Sequence, residues 1–282
     1  MRAVRALMNF RPLLKMAVEN RHFIEIAVKE PEYLAEKVSE KASANARLAD
    51  FRVEFDKFAD LSASAGARLP LSWSDIHPCL DDRTADTPFD RHYLYHPAWA
   101  ARVLARTRPK RHVDISSIVS FSAIISAFMP VEFLDIRPAN ISLDNLNSRA
   151  ANLLKLPFSD DSIESLSCMH VIEHVGLGRY GEPIDPDGDL GAIRELTRVL
   201  APGGTLLIVV PVGRPRIAFN AHRIYDHEAF RGYFDQLELV DFTLIRDRAD
   251  GEGLLPNPSG ELVRAESYGC GCYWFRKGAP WS

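Results

Sequence analysis

The feature that most constrains the fold is a regular alternation of helical and strand patterns that begins near Tyr93. HPAWAARVLARTRP has the apolar spacing of a helix, HVDIS that of a strand, FSAIISAF that of a helix and VEFLDI that of a second strand. Two strands joined through a helix are parallel neighbours in a sheet. The pattern therefore predicts an α/β domain.

Later segments extend this pattern. SIESLSCMHVI and GGTLLIVVPVG are typical of buried strands, and DLGAIRELTRVL between them is typical of a helix. LELVDFTLIRD and ESYGCGCYWFRKG predict two late strands without a helix between them, which favours antiparallel closure. We expect an open, mostly parallel, twisted and Rossmann-like sheet with helices on both faces and an antiparallel closing strand.

The N-terminal part has a different pattern. Residues 1–68 predict a helical extension, and residues 69–282 predict the α/β domain. Small and polar residues at 62–68 indicate a linker. Apolar side chains three and four residues apart share one helical face: Leu48, Phe51, Phe55 and Phe58.

The first 21 residues combine arginine and lysine with apolar side chains. Such a helix is compatible with contact to a membrane surface, at the inner membrane face, or to a protein partner. Packing against its own domain is the favoured interpretation. No stretch has the length and apolar character of a membrane span or signal peptide, so we expect a cytoplasmic protein.

Composition limits the other partners. A formal charge of −4 and a pI near 6.1 argue against nucleic-acid binding through a broad basic face. The four cysteines are too few and too irregularly spaced for a disulfide framework, so we expect reduced thiols.

Two long stretches, LKLPFSDDSIESLSCMHVIEHV and AIRELTRVLAPGGTLLIVVPVG, resemble the second half of class I S-adenosylmethionine-dependent methyltransferases. HVIEHVGLGRYGEPIDPDGDL and FNAHRIY more narrowly resemble a bacterial, uncharacterised methyltransferase-like domain family. The resemblance covers roughly residues 90–247 and does not include the N-terminal helices. It implies S-adenosylmethionine as the cofactor.

The resemblance also implies cofactor-binding residues. Asp114 has the position of the acidic residue that ends the first strand, and Asp135, 21 residues later, that of the carboxylate for the ribose hydroxyls. Asn152 and Leu153 have the positions that contact adenine. An asparagine amide can hydrogen-bond the adenine ring as the family's aspartate does.

The loop after the first strand differs from the family. Ser116, Ile118 and Ser120 stand where glycines let the backbone approach the cofactor. Ser116 and Ser120 are small, and their hydroxyls can replace backbone contacts. Ile118 is β-branched and unfavourable at positive φ, so we expect a wider loop or a partly filled pocket.

His170, Glu173 and His174 follow the fourth predicted strand and are candidate catalytic residues. Methyl transfer to a hydroxyl needs in-line placement and a base, for which histidine is suited. Bracing of the following segment is an equal alternative for Glu173 and His174. The three residues also spell H-x-x-E-H, but a motif that follows a strand does not favour a zinc-protease site, so no metal is expected.

Two further segments predict substrate contacts. In GRYGEPIDPDGDL, Arg179, Tyr180 and Asp185 are expected on the substrate side and Asp189 at a helix N-cap, because the acidic spacing does not fit an EF-hand. FNAHRIY follows the fifth strand and contributes four polar residues: Asn220, His222, Arg223 and Tyr225. His222 is a further catalytic candidate, and the others suit a sugar or phosphate-bearing acceptor. The alternative is that His222 and Arg223 tie the loop to the domain.

Three hypotheses remain open from the sequence. The first is O-methylation of a carbohydrate or nucleotide sugar in surface-polysaccharide synthesis, with a small-molecule or glycan acceptor. The second is a methyltransferase-like binding or scaffold protein that does not transfer methyl groups. The third is other glycan chemistry through His170, Glu173 and His222. RHYLYHPAW is compatible with an aromatic lid or with a core helix.

Overall fold

The computed structural model describes residues 31–248 and 252–278. The chain forms two compact units, Met1–Pro88 and Phe89–Ser282. The sequence analysis places the boundary between Arg68 and Leu69, whereas the first compact unit ends at Pro88. The basic and apolar segment at residues 1–21, with its expected membrane or partner contacts, lies outside the described residues.

In the first unit, helix α1 spans Pro31–Ser64 and continues into the segment expected to be a linker. Phe51 and Phe55 pack against Trp73, with ring centroids 6.0 and 4.9 Å away. Phe58 is 61% exposed, so the predicted apolar face is covered only in part. Among the described residues, none of the helices has the length and apolar character needed to cross a bilayer.

The second unit contains a sheet of eight strands and a separate two-stranded hairpin. In chain order its elements are α2 (Arg91–Thr107), β1 (His112–Ile115), α3 (Val119–Ile125), β2 (Val131–Asp135), β3 (Leu146–Ala150), β4 (Ile163–Met169), a 3-10 helix (Ile172–His174), α4 (Gly188–Val199), β5 (Leu200–Val212), β6 (Arg216–Ala218), β7 (His222–Ile224), α5 (His227–Gly232), β8 (Leu237–Ile245), β9 (Leu255–Pro256), α6 (Gly260–Ala265) and β10 (Gly269–Lys277). The strand order is β3-β2-β1-β4-β5-β10-β8-β9, with β6 and β7 paired apart from it.

The predicted open, mostly parallel α/β sheet is therefore confirmed. β1 to β5 are parallel, and β10 runs antiparallel between β5 and β8. The expectation that no helix separates the two late strands was wrong, because α6 forms a six-residue helix before β10. The sequence gave no strong helical period there because the helix is too short for one.

Strand β5 shows why the sheet lies in the core. Leu206 and Ile208 belong to the apolar cluster on one face, and Leu207 and Val209 belong to the cluster on the other. Successive side chains of a strand point to opposite faces, so an uninterrupted apolar run is buried on both. All four residues are fully buried.

The strand order also determines where a crevice opens. From β1 the chain first builds outward through β2 and β3, and it then returns to place β4 on the other side of β1. Loops that leave β1 and β4 therefore diverge at the carboxyl edge. Ligands of open α/β sheets bind at such a reversal of strand order.

Candidate active site

A buried hydrogen-bond network joins β1 to β4 below the crevice. The Ser167 hydroxyl donates to Asp114 Oδ2 at 2.5 Å, and the Ser117 backbone N–H donates to Asp114 Oδ1 at 3.0 Å. The Ser117 hydroxyl accepts from the Met169 backbone N–H at 3.0 Å. Asp114 is fully buried and lines neither of the two cavities described below, so its hydrogen bonds serve to hold the turn after β1.

Burial governs the protonation of this network. It raises the pKa of Asp114 to about 6, against the opposing effect of the hydrogen bonds from Ser167 and Ser117. It lowers the pKa of His112 to about 3, so that the imidazole between Ser165 and Ser167 is neutral at pH 7. The network is therefore held by neutral groups around one carboxyl group that titrates below neutrality.

The turn after β1 differs from the expectation that Ile118 would be strained there. Ser116, and not Ile118, adopts the left-handed conformation, with φ of 55°. Ile118 has φ of −60° at the N-cap of α3, where a β-branched residue meets no penalty. The Ser116 hydroxyl donates to the Leu134 carbonyl at 3.1 Å, and Ser120 is exposed in the first turn of α3 outside both cavities.

The first cavity, about 280 Å³, lies over the carboxyl ends of β1, β2 and β4, and we call it the strand-end cavity. Asp135 lines it from the end of β2, and Asn152 lines it from the loop after β3. Leu153 is buried in its wall. Asp135 Oδ1 accepts from the Arg137 backbone N–H at 2.6 Å. Asn152 Oδ1 accepts from the Leu154 backbone N–H at 2.9 Å, so its NH₂ group is left for another acceptor.

The second cavity, about 340 Å³, adjoins the first, and we call it the loop cavity. Four residues line both cavities: Ser116, His170, His174 and Tyr180. The loop cavity additionally contains Glu173, Arg179 and His222. The sequence identified these three positions, and the fold brings them together from segments before and after β5.

His170 occupies the exit of β4 in a left-handed conformation, with φ of 56°. Its Nδ1 lies 2.9 Å from Glu173 Oε1, and both side chains are almost fully buried. Burial opposes protonation of His170, but Cys270 and Glu173 outweigh it and raise its pKa. His174 Nδ1 is 2.5 Å from the Ala221 carbonyl, which it braces.

His222 lines the loop cavity from the start of β7. Its ring centroid lies 4.9 Å from that of Tyr268, and it is only partly buried. Burial, followed by the charge of His174, lowers its pKa below the ordinary value. His222 is therefore neutral at pH 7 and able to act as a base.

Arg223 and Tyr225 lie below the cavities and hold the β6–β7 hairpin in place. Arg223 donates to the carbonyls of Val175 and Pro186 at 2.7 and 2.9 Å, and the Tyr225 hydroxyl donates to Asp189 Oδ2 at 2.9 Å. These contacts correspond to the alternative in which Arg223 ties the loop to the domain. Neither Arg223 nor Tyr225 lines a cavity.

Asp189 is a further correction. Asp187 is the N-cap residue of α4, and Asp189 lies inside the helix, where it is buried with its carboxylate 3.6 Å from the Arg223 guanidinium. Asp185 lines the strand-end cavity and its Oδ1 accepts from the Asp187 backbone N–H. Asn220 is exposed with φ of 63°, so it forms the hairpin turn outside both cavities.

The loop that covers the strand-end cavity is shaped by Gly176. Its φ is +81°, and a Cβ there would lie 2.1 Å from the Asp185 carbonyl oxygen. Tyr180 follows on the same loop, and the Arg137 guanidinium lies 4.3 Å from its ring centroid. This stacked pair brings the loop against the end of β2.

Sequence reasoning missed three residues of the site. Ser117 belongs to the buried network, Tyr268 lines the loop cavity, and Cys270 lies behind His170. Tyr93 also lines the loop cavity, whereas Trp99 on the same helix is buried in the core; the aromatic-lid role of the RHYLYHPAW segment stays a prediction. The only sequence signal for Tyr268 and Cys270 is their position at the last strand, with Tyr268 just before it and Cys270 at its start.

Comparison with known proteins adds to this geometry. The sheet order is that of an open, Rossmann-like α/β fold. A family model described as a Caenorhabditis protein of unknown function, DUF268, matches residues 153–243. No curated protein matches the sequence.

Two similar solved structures are N-methyltransferases with S-adenosylhomocysteine. NodS from Bradyrhizobium japonicum WM9 has 17% identity and a TM-score of 0.47, over 70% of this chain and 92% of that chain. The 1,6-didemethyltoxoflavin-N1-methyltransferase of Burkholderia thailandensis has 13% identity and a TM-score of 0.49, over 85% of this chain and 90% of that chain.

We expect Asp114→Asn to flatten the dependence of stability on pH. Because burial raises the pKa of Asp114 from 3.8 to about 6, its stabilising contribution is complete below pH 3.8 and is lost as pH rises through 6. The wild type should lose about 3 kcal/mol relative to Asp114→Asn over this range. Urea denaturation between pH 4 and 7 measures this, and parallel curves would contradict it.

We expect Arg223→Met to lower the free energy of unfolding by about 3–5 kcal/mol, because it leaves the buried Asp189 carboxylate without its cation. Arg214→Met is the control, since Arg214 is exposed on the same segment, and it should change stability by less than about 0.5 kcal/mol. Urea denaturation at pH 7 compares the two. Equal effects would show that Arg223 does not hold the hairpin.

Proposed function

We propose that this chain is an S-adenosylmethionine-dependent methyltransferase that methylates a hydroxyl oxygen of a carbohydrate or nucleotide sugar in surface-polysaccharide synthesis. The observation that carries the proposal is the strand-end cavity, which brings Asp135, Asn152 and Leu153 together beside the reversal of strand order. A carboxylate for the ribose hydroxyls and an amide and an apolar side chain for the adenine ring are the groups that this cofactor needs side by side in one crevice.

The residues present fit this cofactor. Asp135 Oδ1 accepts one backbone hydrogen bond, and the carboxylate keeps further acceptor capacity for two ribose hydroxyls. The NH₂ group of Asn152 and the buried Leu153 suit the adenine ring. Ser116 turns without a glycine, and its hydroxyl oxygen retains lone pairs for an ammonium group.

Ile118 does not fill the cofactor position. It lines the loop cavity and not the strand-end cavity, and it has ordinary backbone angles. This observation favours cofactor binding over the scaffold hypothesis, in which a collapsed pocket was expected.

The acceptor is inferred from the loop cavity. Three tyrosine side chains line it, Tyr93, Tyr180 and Tyr268, together with Arg179 and His222. Tyrosine rings offer an apolar face to the C–H face of a sugar and a hydroxyl to its polar edge. Arg179 suits a phosphate or carboxylate on the same acceptor.

S-adenosylmethionine supplies a methyl group on a positively charged sulfur. When bound, it would transfer this methyl group to the acceptor oxygen, and the acceptor hydroxyl would have to give up its proton to a residue of this chain. His222 is assigned as the base that takes this proton, since it is neutral at pH 7 and lies in the loop cavity. His170 and Glu173, which pair with each other, line the loop cavity and are assigned no step of the transfer.

We expect Asp135→Asn to weaken binding of S-adenosylmethionine and S-adenosylhomocysteine about 10- to 100-fold, because hydrogen bonds to a carboxylate are stronger than those to an amide. Asp144→Asn is the control, as this exposed carboxylate lies before β3 and outside both cavities. Titration calorimetry measures both. No binding by the wild type, or equal binding by Asp135→Asn, would overturn the cofactor assignment.

We expect His222→Gln to lower methyl transfer at least about 100-fold, the scale of general-base catalysis, without changing cofactor affinity. Formation of S-adenosylhomocysteine with a panel of nucleotide sugars is the assay. Wild-type activity should rise with pH and level off below pH 6.5, because the pKa of His222 is lowered and the neutral ring is the base. An unchanged rate in His222→Gln would exclude it as the base.

A further inference from the structure

A group of buried ligand-type side chains lies behind the loop cavity and takes no part in the proposed methyl transfer. It consists of His92 at the start of α2, His170 after β4 and Cys270 at the start of β10. One nitrogen or sulfur atom from each lies within 4.8 Å of the other two. All three residues are more than nine-tenths buried, at 6%, 8% and 0% exposure.

The orientation of the His170 ring is fixed by the residues that contact its two nitrogens. Its Nδ1 faces Glu173 Oε1 at 2.9 Å, and its Nε2 lies 3.4 Å from Cys270 Sγ. Nδ1–H donates to the carboxylate, so Nε2 is the nitrogen that faces Cys270 and that can bind a metal ion once its proton is released. Metal-binding histidines are held in the same way, by a carboxylate or carbonyl on the second nitrogen.

The neighbouring histidines carry nitrogens without partners. His92 Nε2 and His96 Nε2 are buried, and each lacks a hydrogen-bond partner. His96 Nδ1 is 2.7 Å from the His92 carbonyl, so Nδ1–H is the donor and Nε2 keeps its lone pair. The His96 ring lies 5.1 Å from the His170 ring. Buried polar atoms are rarely left unpaired, and one of these two residues, His92, belongs to the group that contains Cys270.

We propose that His92 Nε2, His170 Nε2 and Cys270 Sγ bind a zinc ion. Two imidazoles and a thiolate suit zinc better than the harder magnesium or calcium ions. When the ion binds, the protons held by the Cys270 thiol and by His170 Nε2 are released to solvent. His170 also lines both cavities, which gives the ion a path from solvent.

This site differs from the zinc-protease motif that the sequence suggests and that we did not expect to bind metal. Of the two histidines in H-x-x-E-H, only His170 is a ligand. Glu173 orients it, and His174 Nδ1 contacts the Ala221 carbonyl instead. The other two ligands come from distant parts of the sequence. The inference does not depend on methyl transfer, because the ligand geometry stands without a cofactor.

The test uses the untagged full-length chain. Metal content is measured by mass spectrometry after growth with zinc, and metal-free protein is then titrated with zinc against a competing chelator. A single zinc ion per chain is expected. Cobalt replaces zinc in a second titration, where a sulfur-to-cobalt charge-transfer band and tetrahedral visible bands are expected from the wild type. The cobalt spectrum does not require any variant to fold.

Variants identify the ligands. Cys270→Ser, His170→Ala and His92→Ala should each lose the stoichiometric zinc, and Cys270→Ser should lose the charge-transfer band. Cys272→Ser is the matched control, because Cys272 is equally buried on the same strand, and Cys79→Ser controls for the exposed thiol. Both controls should keep the ion. Glu173→Gln should bind zinc about 10- to 100-fold more weakly.

Circular dichroism establishes that each variant is folded before its metal content is compared. A wild type that takes up neither zinc nor cobalt overturns the proposal. So does a charge-transfer band that persists in folded Cys270→Ser or disappears in Cys272→Ser or Cys79→Ser. Since the readouts use metal alone, failure here leaves the methyl-transfer assays unaffected.

Discussion

The crevice depends on the hydrogen bonds around Asp114. β1 and β4 are not adjacent in sequence, and their loops must diverge at a fixed point for a cavity to open between them. Asp114 accepts from Ser167 on β4 and from Ser117 in the turn, while Ser117 in turn accepts from Met169. These bonds join the turn after β1 to the end of β4, so they determine where both loops begin.

Much of the fold was predictable because its signals are local. Apolar runs bounded by turn residues identify β4 and β5, and the spacing of apolar residues identifies α4. The carboxylate at the end of β2 and the pair Asn152 and Leu153 were found through the family resemblance. They lie together because the carboxyl ends of parallel strands meet at one edge.

The rest of the site depends on tertiary contacts that no local pattern reveals. Positive φ belongs to Ser116 and not Ile118, since the turn is determined by its bonds to neighbouring strands. Arg223 resembles a binding residue in sequence, yet its guanidinium donates to backbone carbonyls of the loop before α4. Cys270 is about a hundred residues from His170 along the chain, and only the insertion of β10 beside β5 brings it near.

The backbone of His170 has a consequence for how this position can vary. A left-handed conformation favours glycine, and another residue there costs about 1–2 kcal/mol. An imidazole is maintained at this point despite that cost, so its own contacts with Glu173 and Cys270 must compensate. Backbone and side chain therefore place opposite demands on the same residue. A glycine would remove the backbone strain at the end of β4, but it would also remove the imidazole and its contacts with Glu173 and Cys270.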